Sequence, residues 1–386
     1  MTWSLISFDE AVADLTGGQH KVQKSEVQSQ GALRVIDQGQ QPVAGYIDDS
    51  ERAYRGPIPV VLFGDHTRIF KYVEGPFALG ADGVKVLSPK GRLTAKFLYY
   101  YFQSFQIQSR GYSRHFKFLR EKKVPDVHPD EQRRIVEILD QADALRKLRR
   151  EADALAERIL PALFYKMFGD PVRNEMGWEI RRLSDVTRVI HRYPTFYGVE
   201  YVSDGIPVAR ISDITEGGVL DRNLAAYVRV PKEFSDTFPL TILESKDIVM
   251  AVRGDTTGKL GFVPEELSGA NISPNLIRIS PESSQVRPEF LFSYLSLARS
   301  NLKRFITNTA KKSITAESLK GLPVLVPAVT LQDRFVETLR GTQKTTEAQQ
   351  ASHRKLEMLY SVLLHRAFTG ELTARWREEH NKSEAL

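Results

Sequence analysis

Two short segments of the chain combine basic side chains with aromatic and hydroxyl side chains, a mixture that suits contact with nucleic acid. The first segment contributes Arg110, Tyr112, Arg114, His115 and Lys117. The second contributes Arg304, Lys311, Lys312 and Ser313. Cationic groups bind phosphate oxygens, and hydroxyl groups form hydrogen bonds with phosphates and base edges. We therefore predict DNA contacts from both segments, with a solvated charged face as the alternative for any single residue.

Two predicted turns between strands carry further candidate phosphate contacts. The first turn offers Arg68 and Lys71, and the second offers Arg253, Thr256, Thr257 and Lys259. The second turn, Gly254-Asp-Thr-Thr-Gly-Lys-Leu, differs from a nucleotide-binding phosphate loop in having three residues between its glycines and Leu260 in place of Ser or Thr. We interpret it as a turn whose polar side chains face a DNA backbone, and an ordinary glycine turn is the open alternative.

Motifs for catalysis are missing from the sequence. Ser273-Pro-Asn-Leu lacks the Asn/Asp-Pro-Pro-aromatic pattern of amino-methyltransferases, and Pro125-Asp126 lies too close to Glu131 and Arg133 for a nuclease core. The 8 histidines are scattered without metal-ligand spacing, and there is no cysteine. We expect no catalytic residue, no metal and no cofactor on this chain.

The composition is that of a soluble protein large enough for more than one core. The chain has 386 residues, a formal net charge of +6, a pI of about 9.2 and 41% hydrophobic residues. The basic excess favours an anionic partner. No segment reaches the roughly 20 apolar residues of a membrane helix, so we expect a cytoplasmic protein without membrane contact.

The elements that must position these residues include two copies of one long predicted helix. An offset of 200 positions holds from Gln132 and Gln332 to Phe168 and Phe368. The first copy carries an apolar heptad seam that runs from Ile135 through Leu145 to Leu163, with Arg149 as its one polar residue. The second copy is polar in its middle and must depend on packing for stability. A helix of roughly 38 residues spans about 57 Å, the length of a spacer. We therefore predict that the two helices pair.

Prolines and glycines predict where these helices begin and end. Asp130 is placed to open the first copy, with Pro129 just upstream. Pro161 predicts a kink or a restart near Glu157. Gly169 predicts the end of the first copy, and Gly370 predicts the end of the second.

Two globular domains alternate with the two helices. We place the first domain at residues 1–125, the first helix at 126–177, the second domain at 178–325, and the second helix with a C-terminal tail at 326–386. Strand-like runs near Val60 and Val84 correspond to runs near Ile248 and Leu276, with offsets that drift from 175 to 200 across the domains. Short strands mixed with helices indicate an α+β fold for each domain.

Large apolar side chains recur at the ends of the helices. They are Phe164 and Phe168 in the first copy and Leu364 and Phe368 in the second. One interpretation is that they pack onto the neighbouring domain. The other is that they form a docking surface that is present twice and recruits two copies of one partner.

Taken together and in duplicate, several motifs give the chain a family likeness. They are Gly64-Asp-His-Thr-Arg, Phe77-Ala-Leu-Gly-Ala-Asp-Gly-Val-Lys-Val-Leu, Glu131-Gln-Arg-Arg-Ile-Val-Glu-Ile-Leu and Phe368-Thr-Gly-Glu-Leu-Thr. In this order they resemble the specificity (S) subunit of Type I restriction-modification systems over nearly the full chain. Leu331, at the place of Glu131, departs from the repeat.

The resemblance implies two similar α+β target recognition domains, separated by two long helices that form an antiparallel coiled coil with pseudo-twofold internal symmetry. Each domain would read one half of a split, asymmetric site in double-stranded DNA. The implied partners are two modification (methyltransferase) subunits, which carry S-adenosylmethionine and act on adenine, and restriction subunits that use ATP and magnesium for translocation and cleavage. From the residues alone, a stand-alone nuclease and a coiled-coil adaptor without DNA binding are the alternatives.

Overall fold

The computed structural model describes residues 3–80, 83–108, 114–193, 200–298, 302 and 313–383. The chain divides into two compact units. Unit 1 comprises Met1–Glu151 and Gln350–Leu386, and unit 2 comprises Ala152–Gln349. Each unit therefore combines one globular domain with the first part of one long helix and the last part of the other. The four segments predicted from the sequence are a division by element type, and they stay a prediction.

The globular domain of unit 1 contains two four-stranded sheets and one short strand pair. Its strands are β1 (Leu5–Ile6), β2 (Val12–Asp14), β3 (Lys21–Val22), β4 (Leu33–Ile36), β5 (Gly45–Ile47), β6 (Val60–Gly64), β7 (Phe70–Val73), β8 (Ala78–Gly80), β9 (Val84–Pro89) and β10 (Val124–Pro125). One sheet is antiparallel with the order β2-β9-β6-β7. The other has the order β3-β8-β4-β5 and pairs β8 in parallel with both of its neighbours. Every residue of β6 is buried, as expected for an apolar central strand.

Among the residues that the structure describes, three helices accompany these sheets and precede the first long helix. They are α1 (Phe8–Ala11), α2 (Ala95–Gln103) and α3 (Phe116–Arg120). The hydroxyl of Thr94 caps α2 by accepting a hydrogen bond from the backbone N–H of Phe97. The buried face of α2, which includes Phe97, Leu98 and Phe102, packs into the core of unit 1. The helix is shorter than the predicted span of Thr94 to Gln108.

The first long helix is interrupted where its proline predicted. It consists of α4 (Pro129–Ala156) and α5 (Ile159–Phe168). The restart places Pro161 in the first turn of α5, where its missing N–H would have had no partner within the helix. At the other end Gly169 adopts a φ of 76° and ends α5. One expectation needs a correction: α4 already begins at Pro129, because proline is well suited to the first helical position.

The globular domain of unit 2 has the same plan. Its strands are β11 (Ile180–Arg182), β12 (Thr187–Arg192), β13 (Ile206–Ala209), β14 (Val228–Val230), β15 (Ile248–Ala251), β16 (Leu260–Phe262), β17 (Asn271–Ile272), β18 (Leu276–Pro281) and β19 (Pro323–Leu325). The sheet order β12-β18-β15-β16 repeats β2-β9-β6-β7, which confirms the predicted correspondence of the central strands. The second sheet has the order β14-β13-β17 and again mixes parallel and antiparallel pairs.

The remaining helices complete the chain. They are α6 (Lys232–Asp236), α7 (Pro288–Leu297), α8 (Ala316–Lys320), α9 (Val329–Phe368) and α10 (Ala374–Ser383). The second long helix, α9, is continuous over 40 residues, although its middle is polar. The short helix α10 belongs to unit 1.

In both units a short strand pair fastens the beginning of the domain to the segment that leads into a long helix. Leu5 of β1 pairs with Pro125 of β10, and Ile180 of β11 pairs with Leu325 of β19. A tyrosine reinforces each junction: the Tyr101 hydroxyl donates to the carbonyl oxygen of Lys123, and Tyr294 donates to that of Pro323. Each long helix therefore starts at a fixed place relative to its own domain.

The repeated glutamine at the start of each long helix explains why that residue recurs. Gln132 is fully buried, and its side-chain amide donates to the carbonyl oxygens of Val127 (2.8 Å) and Arg92 (3.1 Å) while accepting from the backbone N–H of Thr94 (2.9 Å). Gln332 donates to Pro327 (2.8 Å) and Gln285 (3.3 Å) and accepts from the backbone N–H of Arg287 (2.8 Å). One side chain thus satisfies three backbone groups that would otherwise be buried without partners.

Within unit 1 the two helix segments run antiparallel. Glu131 lies against Thr373 and Arg377, and fifteen positions further on Arg146 contacts Glu357 at 2.6 Å, so the partner numbers fall as the first helix advances. Leu145 was predicted to face the other helix but is 54% exposed. Arg146 takes that place, because its guanidinium both pairs with Glu357 and stacks on the ring of Tyr360, 3.8 Å from its centroid.

Within unit 2 aromatic side chains join the helix segments to the domain. The ring centroid of Phe335 in α9 lies 5.7 Å from that of Phe164 and 5.4 Å from that of Phe168, both in α5. Phe290 of α7 completes the cluster at 5.6 Å and 4.8 Å from the same two rings. The end of the first long helix therefore belongs to the core of the second domain.

Candidate nucleic-acid interface

In unit 1 the turn after the central strand β6 is fastened to the segment that precedes α3. Asp65 is buried, and its carboxylate accepts a hydrogen bond from the backbone N–H of Phe116 at 2.7 Å. Its carbonyl oxygen accepts the backbone N–H of His115 at 3.0 Å and lies 2.9 Å from His115 Nδ1. The predicted turn and the end of the predicted basic segment therefore meet at one end of the antiparallel sheet, where the central strand β6 finishes.

Arg68 occupies the tip of this turn. Its backbone has a φ of 64°, and its guanidinium donates from Nη1 to the carbonyl oxygen of Ile107 at 3.0 Å. The side chain lines an open cavity of about 450 Å³ together with Tyr99, Phe102 and Phe105. Its position brings a cationic group beside the chain that leads into the basic segment.

Two predicted contacts in unit 1 prove to be internal. The side chain of His115 is fully buried against Asp65. Lys71 is only 10% exposed; its ammonium donates to the carbonyl oxygen of Gln41 and lies 3.5 Å from Asp37, and burial lowers its pKa. His115 and Lys71 point inwards and form hydrogen bonds within the protein. Their geometry therefore suits stabilisation of the turn and not contact with DNA.

The other candidates in unit 1 are accessible or lie outside the described ranges. Arg114 and Lys117 are exposed on either side of His115, and the Lys117 ammonium lies 4.9 Å from the centroid of the Phe118 ring. Arg110 and Tyr112 lie outside the residues that the structure describes. Arg114 and Lys117 therefore give this end of the sheet two exposed cationic groups.

Unit 2 builds the corresponding junction through main-chain contacts. Arg253, after the central strand β15, forms an antiparallel β-bridge with Ser313, and the backbone N–H of Ile314 donates to the carbonyl oxygen of Val252 at 3.1 Å. This links the turn after the strand to the segment before α8, as Asp65 does in unit 1. Arg304, Lys311 and Lys312 lie beyond the described part of the chain.

The Gly254 segment is a turn between β15 and β16, as interpreted from the sequence. Gly254 and Gly258 have φ values of 75° and 87°, which only glycine adopts readily. The Thr257 hydroxyl donates to the carbonyl oxygen of Gly254 at 2.7 Å, while Thr256 is exposed. The Lys259 ammonium donates to the carbonyl oxygen of Ile214 at 2.8 Å and is half-buried, so it stabilises the turn from inside.

Arg192 is a candidate that the sequence reasoning missed. It ends β12, and its Nε donates to the carbonyl oxygen of Pro274 at 3.1 Å. Burial and, second to it, the positive charge of Arg253 lower the pKa of Arg192. The run His191-Arg192-Tyr193, with its basic and aromatic side chains, was the available signal.

The apolar residues at the helix ends lie mainly in the domain cores. Phe164 and Phe168 are fully buried in unit 2, and Leu364 is 7% exposed in unit 1. Phe368 is half-buried, with its ring 5.5 Å from that of Phe97. Buried side chains offer no surface to a partner, so the burial of Phe164, Phe168 and Leu364 favours the packing interpretation for these three residues.

The described ranges contain neither a metal-binding cluster nor a membrane-spanning helix. No group of three or more His, Cys, Asp or Glu side chains there could hold a metal ion. Among the helices of the same ranges, none combines the length and the apolar character needed to cross a membrane.

The fold and its two basic edges define an internally duplicated α+β protein with a repeated candidate interface. The family model described as the Type I restriction modification DNA specificity domain matches residues 41–156 and 175–358, which is more than half of the chain. The chain belongs to this family of Type I restriction-modification specificity subunits.

Individual relatives support the same assignment. The specificity subunit of the Type I restriction enzyme EcoBI from Escherichia coli is 30% identical over 197 residues, a match that covers 48% of this chain and 40% of that protein. The match therefore spans less than half of that relative's length.

Two solved structures share the fold. The crystal structure of the Type I S subunit from M. genitalium gives a TM-score of 0.59 at 14% identity and covers 95% of this chain and 96% of that chain. A chain from a structural study of complex assembly and conformational transition in the type I system gives 0.54 at 15% identity, with coverage of 96% and 98%.

Proposed function

We propose that this chain is the DNA-reading subunit of a Type I restriction-modification complex. Each globular domain reads one half of a bipartite, asymmetric site in double-stranded DNA. Family membership supports this role, and so does the duplication, because two similar domains within one chain suit two half-sites.

The observation that carries the proposal is the junction present in both units. In each unit the turn after the central strand is bonded to the segment before a short helix, through Asp65 and Phe116 in unit 1 and through Val252 and Ile314 in unit 2. The corresponding end of the sheet thus presents basic groups in both units, and in unit 2 hydroxyl groups accompany them. Phosphate contacts from such groups orient a protein on DNA, and neighbouring groups read base edges.

The residues that we assign to this interface are exposed or half-buried. Arg114, Lys117, Arg253 and Thr256 are exposed, and Arg68, Thr257 and Ser313 are half-buried. Arg110, Tyr112, Arg304, Lys311 and Lys312 are proposed from the sequence alone.

The two long helices set the distance between the half-sites and dock the other subunits. Two modification subunits carry S-adenosylmethionine and methylate adenine, and restriction subunits add ATP- and magnesium-dependent translocation and cleavage. This chain supplies recognition and no chemistry of its own. The solved type I structures support an assembly of this kind, as does the name of the EcoBI relative, a subunit of a restriction enzyme.

Salt-dependent DNA binding tests the role. Fluorescence anisotropy of the full chain with a labelled mixed-sequence duplex, measured over a KCl series, should give log affinity that falls linearly with log salt by about 0.9 for each phosphate neutralised. Replacing Arg114 and Lys117 by glutamine should reduce that slope by up to about 2.

Arg120 provides a matched control on the same helix. It is exposed but already paired with Asp9, with Nη2 2.6 Å from the carboxylate, so Arg120→Gln should leave the slope unchanged. Absence of duplex binding would support the adaptor alternative. Cleavage of the duplex by the purified chain with magnesium would support the nuclease alternative.

A further inference from the structure

Two arginines lie at one end of the antiparallel sheet in unit 2, one at the end of β12 and the other in the turn after β15. Arg192 at the end of β12 pairs with Ile277 of β18, and the adjacent Leu276 pairs with Ala251 at the end of β15. Arg253 follows Ala251 by two residues. Three neighbouring strands therefore deliver Arg192 and Arg253 to the same end of one sheet.

No carboxylate in the described ranges forms an ion pair with either arginine, although ion pairs are common elsewhere in the unit. On the same strand as Arg192, Arg188 pairs with Glu244 at 2.8 Å. Arg278 on β18 pairs with both Asp247 at 2.6 Å and Glu244 at 2.9 Å. Two like charges held together without a counter-charge are unfavourable, and such local violations of electrostatic balance mark sites for an ion from outside.

The anchoring of Arg192 leaves its charge available. Its Nε donates to the carbonyl oxygen of Pro274, and within the described ranges this is its one side-chain hydrogen bond. A guanidinium fixed by Nε still has terminal N–H groups that can bind phosphate oxygens. Arg253 is exposed beside it.

We propose that Arg192 and Arg253 together hold one backbone phosphate of DNA at this end of the sheet in unit 2. The inference rests on the proposed function and adds to it a residue and a specific contact. An anion between the two guanidinium groups relieves their repulsion, so both arginines act on one phosphate and not on two. This contact is independent of base sequence.

Unit 1 differs at the corresponding sheet end. Lys85 on β9 takes the place that Ile277 has on β18, and its ammonium lies 3.1 Å from the carboxylate of Asp14 and 4.7 Å from the centroid of the Phe116 ring. The unit thus neutralises its own cation internally. We expect the phosphate contact to belong to unit 2 and to be absent from unit 1.

The salt dependence of binding separates one shared phosphate from two. The probe is the labelled mixed-sequence duplex, measured with the full chain over a KCl series. We expect the slope of log affinity against log salt to fall by about 0.9 in each of three variants: Arg192→Gln, Arg253→Gln and the double variant. The reduction is the same in all three because loss of either arginine releases the same phosphate. Arg188→Gln on the same strand should keep the wild-type slope, since Arg188 is already paired with Glu244. Asp14→Asn should raise the slope by up to about 0.9 by freeing Lys85.

The possible failures are distinguishable. In one outcome the wild-type affinity for the duplex falls steeply with salt and the double variant keeps the same salt dependence. In that case the inference about Arg192 and Arg253 is wrong and the proposed function stands. A double variant that loses about twice the slope of each single variant would assign two phosphates and overturn the shared contact. If the wild type shows no salt-dependent binding, both proposals fail. Circular dichroism of each variant, compared with Arg188→Gln, identifies losses that come from misfolding.

Discussion

Replacing Glu131 by leucine should destabilise unit 1 strongly, even though the chain itself carries leucine at the repeated position, Leu331. The Glu131 side chain is 5% exposed. Its carboxylate accepts hydrogen bonds from Trp3 Nε1 at 3.0 Å, from the Thr373 hydroxyl at 2.6 Å, and from Arg377 Nε and Nη2 at 2.9 Å and 2.7 Å. Leucine fills a similar volume but removes the acceptor of these four hydrogen bonds, while Arg377 Nη2 keeps its hydrogen bond to the carbonyl oxygen of Gly370 at 2.9 Å.

The expected loss in the free energy of unfolding follows from the burial of Glu131 and its hydrogen-bond partners. Breaking a buried ion pair by removing one member destabilises a protein by about 3–5 kcal/mol. The Arg377 side chain is 17% exposed and can turn partly towards water, so we expect a value near the lower end. A loss of about 3 kcal/mol raises the unfolding equilibrium constant of unit 1 by roughly 100-fold. Removing Arg377 as well, in Glu131→Leu with Arg377→Leu, should recover part of the loss because the largely buried guanidinium that has lost its carboxylate is removed with it.

Tryptophan fluorescence in urea can measure this change in unit 1. Trp3 and Trp376 belong to unit 1 and Trp178 belongs to unit 2, so a Trp178→Phe background makes the signal specific for unit 1. Glu137→Gln is the matched control on the same helix. Its carboxylate is 3.4 Å from Arg134 and both side chains are about half exposed (52% and 50%), so we expect a change within about 0.5 kcal/mol. If Glu131→Leu lowers the free energy of unfolding by less than about 1 kcal/mol, and the dependence of that free energy on urea concentration is unchanged, the reasoning is refuted.

Three further predictions concern the long helices. Gln132→Ala and Gln332→Ala should each destabilise their own unit by about 2–4 kcal/mol because each leaves three buried backbone groups without their side-chain partner. Gln132→Ala is measured in the unit 1 urea titration, in which exposed Gln141→Ala should be nearly neutral, and Gln332→Ala is followed in a chain that keeps Trp178. The hydrogen bond from Arg146 holds the pKa of Glu357 below its ordinary value of 4.5, so this pair stabilises unit 1 above that pH. The stabilisation should be lost as pH falls below about 4.5 through the lowered pKa, and Glu357→Gln should flatten that part of the stability profile. Seven residues inserted after Leu148 and seven after Ala348 preserve the heptad and add about 10.5 Å of helix, which should lengthen the spacer of selected DNA sites by about three base pairs. An unchanged spacer would show that the helices do not set it.

Local and repeated signals predicted much of the architecture. The helix interruption near Glu157 and the end at Gly169 follow from the backbone chemistry of proline and glycine, which acts within one turn. The correspondence of β6 and β9 with β15 and β18 follows from apolar runs that are buried on both faces. These features depend on neighbours along the chain, so one sequence is enough to reveal them.

The features that the sequence could not reveal depend on contacts between distant positions. Glu131 differs from Leu331 because Thr373 and Arg377, more than 240 positions away, supply its donors. His115 and Lys71 looked like surface groups by residue type, but Asp65 and Gln41 satisfy them internally. The register of three strands brings Arg192 and Arg253 to the same end of one sheet, and periodicity does not encode that register.

The most direct test of reading by two domains is the set of DNA sites that the chain directs a modification subunit to methylate. The complex would be expressed with the wild-type chain, and with a chain whose residues 1–120 come from a relative of different specificity, and methylated bases would be mapped by sequencing. We predict a bipartite motif with a fixed spacer for the wild type and a change confined to one half-site for the exchanged chain. A single uninterrupted motif, or a change in both half-sites after the exchange, would contradict the assignment of one half-site to each domain.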